Sequence, residues 1–130
     1  ADLQVGTDLP SLTRVGKMKE SIGDNPSIHE TSYAQTMGMR GALIGGTLLQ
    51  GYMMEMLYGH FGVENWARNG KLHVRFVSGG VLQDDEVEIK ATIAKIAPEG
   101  DSQRVYLDVS MENRSSGKTN IIGTGSCLAP

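Results

Sequence analysis

The stretch TLLQGYMMEMLYGHF, residues 47–61, determines the fold class of this 130-residue chain. Leu48, Tyr52 and Met56 recur within it at four-residue spacing, and a second apolar row of the same spacing starts at Leu49. That spacing is the period of a helical face. Because apolar residues occupy much of the circumference, the pattern predicts one long helix that is buried rather than lying on a surface.

After the helix, the spacing of apolar residues drops to two. Alternation runs through residues 72–77, 86–93 and 105–110, and a last apolar segment covers residues 120–128. Alternation of this kind is typical of strands with one face against a core. Glycine- and aspartate-rich segments between the strands predict turns, and a short strand is predicted before the helix, from Leu12 towards Met18.

The predicted order is therefore one strand, one long helix and four hairpin-linked antiparallel strands. Strands with a single apolar face need a cover, and a helix that is apolar all round can supply it. We predict an α+β chain with a hotdog fold, in which an antiparallel sheet of about five strands wraps round one long central helix. The length fits a single domain over residues 1–130.

Composition and charge narrow the function classes. The net charge of −3 disfavours nucleic acid and acidic membrane surfaces as partners, because neither would be attracted electrostatically. No apolar run approaches the roughly 18 residues of a membrane span, and residues 1–4 do not look like the start of a signal peptide. The single cysteine, Cys127, excludes an internal disulfide, so we expect a reducing, cytoplasmic compartment and a buried thiol.

Residues 23–29, GDNPSIH, carry the first candidate for chemistry. Pro26 and the turn-forming residues around it bend the backbone, so the Asp24 carboxylate and the His29 imidazole can approach the same point. A carboxylate beside an imidazole fixes its tautomer and raises its basicity, which suits proton transfer near neutral pH. The alternative interpretation is a turn in which Asp24 caps the loop and His29 starts a helix, without any chemistry.

A second candidate lies where the long helix begins. Ile44, Gly45 and Gly46 precede it directly, so free backbone N–H groups face outward at the positive end of the helix dipole. Glycine permits close approach of a ligand oxygen, and the amides could stabilise the enolate-like charge of a thioester that loses or gains an α-proton. The alternative is a tight turn that needs glycines for backbone reasons.

Together these segments resemble the MaoC-like hydratase family. The family signature reads Gly-Asp-x-Asn-Pro-x-His, followed by Tyr-Ala and by a glycine-rich stretch that leads into the central helix. The corresponding segments are residues 23–29, then YA at 33–34, then GMRGALIGG at 38–46. Residues 76–87 also look like the family's strand–turn–strand, so the resemblance extends over about residues 5–128.

The resemblance implies an (R)-specific enoyl-CoA hydratase or dehydratase. Asp24 and His29 would activate the water that adds across the double bond, and the Gly46 N–H would polarise the thioester carbonyl. Further substrate contacts are expected from Gly45, Asn25, Ile44 and Met54. No metal or redox cofactor is expected, and the ligand would be an acyl-CoA or acyl-carrier-protein thioester. The free edge of a hotdog sheet also predicts a homodimer or a higher homo-oligomer.

The chain departs from the family pattern at several positions. The Asn-Pro pair sits one position early, the segment before Gly23 is shorter, and Gly45-Gly46 stands where the family often has His-Gly. Met54 occupies the position of a hydroxyl-bearing helix residue. Two alternatives therefore stay open. One is a hotdog thioesterase, and the other is a non-catalytic subunit that binds acyl groups or supports a partner chain.

Several other side chains allow two interpretations each. Met53, Met54 and Met56 could line an acyl tunnel or pack in the core. Arg40, Lys71 and Arg75 could contact CoA phosphates or be solvated surface charges.

Overall fold

The computed structural model describes residues 3–17 and 43–130. Within these ranges the chain forms five strands and two helices. The strands are β1 (Leu12–Val15), β2 (Lys71–Phe76), β3 (Glu86–Glu99), β4 (Ser102–Asn113) and β5 (Lys118–Leu128). The helices are α1 (Gly46–Phe61) and α2 (Val63–Asn69). The order of elements confirms the predicted α+β arrangement.

The five strands form one antiparallel sheet in the order β1-β3-β4-β5-β2. The predicted hairpins hold for β3–β4 and β4–β5, whose strands are neighbours in the sheet. The predicted hairpin between β2 and β3 is wrong, because β2 pairs with β5 instead and forms an edge of the sheet. Residues 77–85 cross over, and they are held at their start by the Val77 N–H, which donates to the Asn120 carbonyl oxygen.

Helix α1 spans 16 residues and begins one residue before the predicted stretch 47–61. It ends at Phe61 and is capped by Gly62, whose φ of 85° is left-handed and whose N–H donates to the Tyr58 carbonyl oxygen. The chain continues as α2, which the apolar pattern did not predict. One side of α1 is buried, whereas Gly51, Glu55 and Gly59 on its other side are exposed. The expectation of a helix buried all round therefore holds for one face.

The core lies between α1 and the inner face of the sheet. Alternate residues of the long strands β3 and β4 point into it. Its largest fully buried apolar side chains are Met53, Leu57, Ile89, Ile93, Leu107, Met111 and Ile121. Cys127 is also fully buried, as predicted, and this burial raises the pKa of its thiol. Since each large apolar side chain contributes roughly 1.5–3 kcal/mol on burial, this layer holds α1 against the sheet.

Glycines on β5 determine where β2 joins the sheet. A Cβ at Gly123 would lie 2.2 Å from the His73 carbonyl oxygen, and one at Gly125 would lie 3.2 Å from the Lys71 carbonyl oxygen. Both contacts involve backbone atoms of β2, which cannot move away without breaking the pairing. The close approach of the two strands therefore depends on residues without a side chain.

Candidate functional site

The start of α1 combines free backbone donors with the helix dipole. Gly45 caps the helix with an extended backbone (φ −63°, ψ 141°), and its carbonyl oxygen accepts the N–H groups of Leu48 and Leu49. The N–H groups of Gly46 and Thr47 find no acceptor among the described residues. Because a helix N-terminus carries about half a positive charge, these two amides can bind an oxygen on which negative charge develops.

Among the described residues, the surroundings of these amides are open on one side and aromatic on the other. A Cβ at Gly45 would meet no described residue within 4 Å, whereas one at Gly46 would lie 3.1 Å from Cζ of Phe76. Phe76 ends the edge strand β2, and its side chain is 52% exposed. Sequence reasoning missed this residue, because the alternating pattern places it on a strand without indicating that the strand ends beside the helix.

Ile44 anchors the segment that leads into α1. Its side chain is 2% exposed and belongs to the core, and its N–H donates to the Val81 carbonyl oxygen at 2.8 Å. Leu43, the residue before it, forms a bridge with Leu82. Of the three residues predicted to offer amides here, Ile44 thus has its N–H already occupied, which leaves the two glycines.

A buried carboxylate fixes the crossover opposite this anchor. Asp85 is 3% exposed, and its Oδ2 accepts the Leu82 N–H and the Asn113 Nδ2–H, both at 2.9 Å. Oδ1 of Asn113 in turn accepts the N–H groups of Ser115 and Ser116. The crossover and the β4–β5 turn are thereby tied together. The sequence predicted turns at both places but gave no sign of the bond between them.

The helix methionines divide between core and site. Met53 and Met56 are 0% and 4% exposed, which confirms that they pack in the core. Met54 is partly buried and packs against the core from its rim. Of these three, Met54 alone has surface left for a ligand, and its role in substrate binding stays a prediction.

The predicted acid–base residues Asp24 and His29 lie outside the described residues, as do Asn25 and Arg40. Their roles therefore stay predictions. Lys71 and Arg75 are described, and both are exposed on β2.

Two findings apply to the described ranges, 3–17 and 43–130. No helix there is long and apolar enough to cross a membrane. No three or more His, Cys, Asp or Glu side chains in these ranges come together in a way that could hold a metal ion.

The architecture is similar to that of several solved structures of low sequence identity. The (R)-hydratase PhaJ1 from Pseudomonas aeruginosa matches with a TM-score of 0.73 at 18% identity, covering 98% of this chain and 83% of that chain. An (R)-hydratase from A. caviae involved in PHA biosynthesis matches at 0.73 and 16% identity, covering 98% of both chains. A MaoC-like dehydratase from Rhodospirillum rubrum matches at 0.72 and 16% identity, covering 98% and 92%.

Comparisons of the sequence itself are negative. No protein-family model matches the chain, and no curated protein matches it. The likeness to the three structures concerns the fold, which the chain shares over almost its whole length. The chain thus has the hotdog fold seen in MaoC-like dehydratases and (R)-hydratases.

Proposed function

We propose that this chain is a MaoC-like hydratase, which adds water across the double bond of an enoyl thioester or catalyses the reverse dehydration of a 3-hydroxyacyl thioester. The observation that carries the proposal is the Gly46 N–H at the start of α1, which has no acceptor among the described residues, in a fold shared with (R)-hydratases. A thioester carbonyl that accepts this hydrogen bond is stabilised as negative charge develops on its oxygen. No described residue lies within 4 Å of a Cβ placed at Gly45, which leaves the carbonyl room to approach on that side.

Asp24 and His29 would complete the site as an acid–base pair. In hydration, the oxygen of water bonds to C3 of the enoyl group, and the pair takes the proton that water loses. The C2–C3 π electrons shift towards the thioester oxygen, and a proton from the pair then adds to C2. The product is the 3-hydroxyacyl thioester. Because no electrons are gained or lost overall, the proposed reaction needs no redox cofactor.

Phe76 would contribute the apolar wall of this site. Its exposed ring lies beside Gly46, where the carbonyl would bind. A flat, conjugated enoyl thioester offers an aromatic ring a large contact area. We therefore place the enoyl group between the Phe76 ring and the start of α1.

We also infer that copies of the chain assemble through the sheet edge. On its outward side β2 has no partner strand among the described residues. Sheet edges are usually covered or paired, and a second copy related by a two-fold axis would extend the sheet. This favours a homodimer or a higher homo-oligomer. Light scattering after size-exclusion chromatography tests it, and a monomer mass at micromolar concentration would contradict it.

The reaction is tested with crotonyl-CoA, whose enoyl absorbance disappears on hydration. We expect the wild type to hydrate it, and we expect Asp24→Asn and His29→Ala each to lower kcat by about 10²- to 10⁴-fold, the usual contribution of general acid–base catalysis. Asp101→Asn and His73→Ala are matched controls, because they make the same chemical changes at exposed positions elsewhere. Both controls should keep wild-type rates.

Other results would redirect the assignment. If the folded Asp24 and His29 variants are as active as the controls, the acid–base pair is wrong. If the wild type releases free thiol from acyl-CoA without hydrating enoyl-CoA, the chain is a thioesterase. If it does neither but binds acyl thioesters, it is a non-catalytic subunit.

A further inference from the structure

A cleft of about 300 Å³ lies beside the candidate site, on the side of the β2–β3 crossover. Residues from three segments line it: Leu43 before α1, Ser78, Gly79 and Gly80 of the crossover, and Ser116 and Lys118 from the β4–β5 hairpin. We call it the Lys118 cleft. None of the proposed catalytic steps uses it.

The Lys118 cleft carries a positive charge that has no partner within the described ranges. Lys118 is exposed, and its ammonium forms no ion pair with any described residue. No described residue that lines the cleft is an aspartate or a glutamate. Since the whole chain has a net charge of −3, an anionic ligand needs local positive charge of this kind.

Three other cavities lined by described residues differ from the Lys118 cleft, because carboxylates line them. Two lie on the outer face of the sheet, where Asp108 faces the basic residues of β2. The third contains both Asp8 and Glu88. An anion would therefore meet a carboxylate in each of them, but not along the described lining of the Lys118 cleft.

The crossover adds backbone donors to the cleft. Ser78 and Gly79 both have left-handed φ angles, 53° and 87°. The N–H groups of Gly79 and Gly80 find no acceptor in the described part of the chain. Turns that leave successive N–H groups free form concave anion sites. Asn120 is 2% exposed and donates from Nδ2 to the Ser78 carbonyl oxygen at 2.8 Å, which holds this turn in place.

The cleft is close to the amides at the start of α1. Leu43 precedes Gly46 by three residues, a separation of at most about 11 Å even for a fully extended chain. Ser78 follows Phe76 by two residues, and the Phe76 ring lies against Gly46. A ligand with its carbonyl at Gly46 therefore needs only a flexible arm to reach Lys118.

We propose that the Lys118 cleft binds the phosphate of the pantetheine arm that carries the acyl group, with Lys118 as its cation and the crossover amides as further donors. This inference rests on the proposed function for the nature of the ligand. The phosphate at the end of the pantetheine arm is common to CoA and to an acyl carrier protein. The cleft thus recognises the carrier, whereas the start of α1 acts on the thioester.

Isothermal titration with three probes tests the proposal without requiring turnover: CoA, 4′-phosphopantetheine and pantetheine. The wild type should bind the two phosphate-bearing probes more tightly than pantetheine. Lys118→Gln should weaken both phosphate-bearing probes by about tenfold, the scale of one charge-assisted hydrogen bond, and leave pantetheine unchanged. Lys118→Arg should retain most of the affinity.

Lys95→Gln is the matched control, because it removes the same charge from the outer face, where Lys95 lies 5.4 Å from the centre of the Tyr106 ring. If it weakens CoA binding as much as Lys118→Gln does, only net charge matters and the proposal is overturned. The proposal is also overturned if Arg75→Gln weakens CoA binding and Lys118→Gln does not, or if the wild type binds none of the probes. It is overturned as well if Lys118→Gln weakens the binding of CoA but not that of 4′-phosphopantetheine. The last result would assign Lys118 to the nucleotide phosphates.

The two proposals fail separately. If the wild type hydrates crotonyl-CoA and the Lys118 variants bind every probe normally, the cleft assignment is wrong and the hydratase assignment stands. If phosphate binding depends on Lys118 but no enoyl thioester is hydrated, the hydratase assignment is wrong and the cleft assignment stands.

Discussion

Replacing Gly46 with proline removes one hydrogen-bond donor from the start of α1 while leaving the backbone conformation in place. Gly46 is the first residue of the helix, a position that favours proline because its N–H has no helical acceptor. Gly45 before it has φ −63° and ψ 141°, and a following proline favours such an extended conformation. We expect the free energy of unfolding to change by less than about 1 kcal/mol. In contrast, kcat should fall about 10²- to 10³-fold, the effect of deleting one oxyanion donor.

Gly46→Ala is the matched control, because it also adds a Cβ and keeps the N–H. That Cβ would lie 3.1 Å from Cζ of Phe76, so the ring must give by a few tenths of an ångström, and its 52% exposure allows this. Alanine is favoured over glycine in helices by up to about 1 kcal/mol, which offsets the contact. The ratio of kcat between the alanine and proline variants then measures the amide hydrogen bond.

The assay is the loss of enoyl absorbance over a range of crotonyl-CoA concentrations, with thermal unfolding followed by circular dichroism. Equal kcat for folded proline and alanine variants would refute the role of the Gly46 amide. A proline variant that melts more than about 10 °C below the alanine variant would refute the conformational argument, because that shift corresponds to several kcal/mol in a domain of this size.

Three further predictions concern the rest of the fold. Gly123→Ala should destabilise the protein by about 1–3 kcal/mol or more in urea unfolding, since its Cβ would collide with a backbone oxygen of β2. Gly51→Ala, on the exposed side of α1, should not destabilise it. The hydrogen bond from Arg104 holds the pKa of Glu99 below its ordinary value, so the pair stabilises the fold above the ordinary glutamate pKa and this stabilisation is lost as pH falls through the lowered pKa. Arg104→Met should therefore show a smaller drop in Tm than the wild type between pH 7 and a pH below the lowered pKa of Glu99. An unchanged dependence of Tm on acid pH would contradict this. Cys127 should resist iodoacetamide in the native protein and react once urea unfolds the chain, because the thiol is fully buried and its pKa is raised; rapid native alkylation would contradict this.

Local patterns predicted the elements well. The four-residue spacing located α1 to within one residue at its start, because several apolar turns repeat the signal. Turn residues marked the positions where the backbone is left-handed, including Gly79, Asp84, Gly100 and Gly117. In contrast, α2 has only seven residues, too few for a helical period to be recognised.

Pairings between distant segments could not be predicted in the same way. Alternation shows which residues share a face of a strand, but it does not show which strand lies next to it. The order of strands along the chain predicts a β2–β3 pair, whereas the sheet pairs β2 with β5. In the candidate site, too, local features could be predicted and contacts between distant segments could not. The glycine pair indicated the free amide of Gly46, but the Phe76 ring and the Lys118 cleft arise where the crossover returns to the start of α1. Asp24 and His29 stay predictions from the sequence.

The pairing of β2 with β5 has a consequence for how the chain folds. Each pairing between these strands joins residues about fifty positions apart, from Lys71 opposite Ser126 to Phe76 opposite Ile121. Contacts of such long sequence separation form late, because a large loop must close before they give any stability. During synthesis on a ribosome, both edges of β2 would stay unpaired until β5 (Lys118–Leu128) had emerged. During that interval both edges of β2 would offer unpaired backbone groups to other strands, while Lys71, His73 and Arg75 are exposed on it.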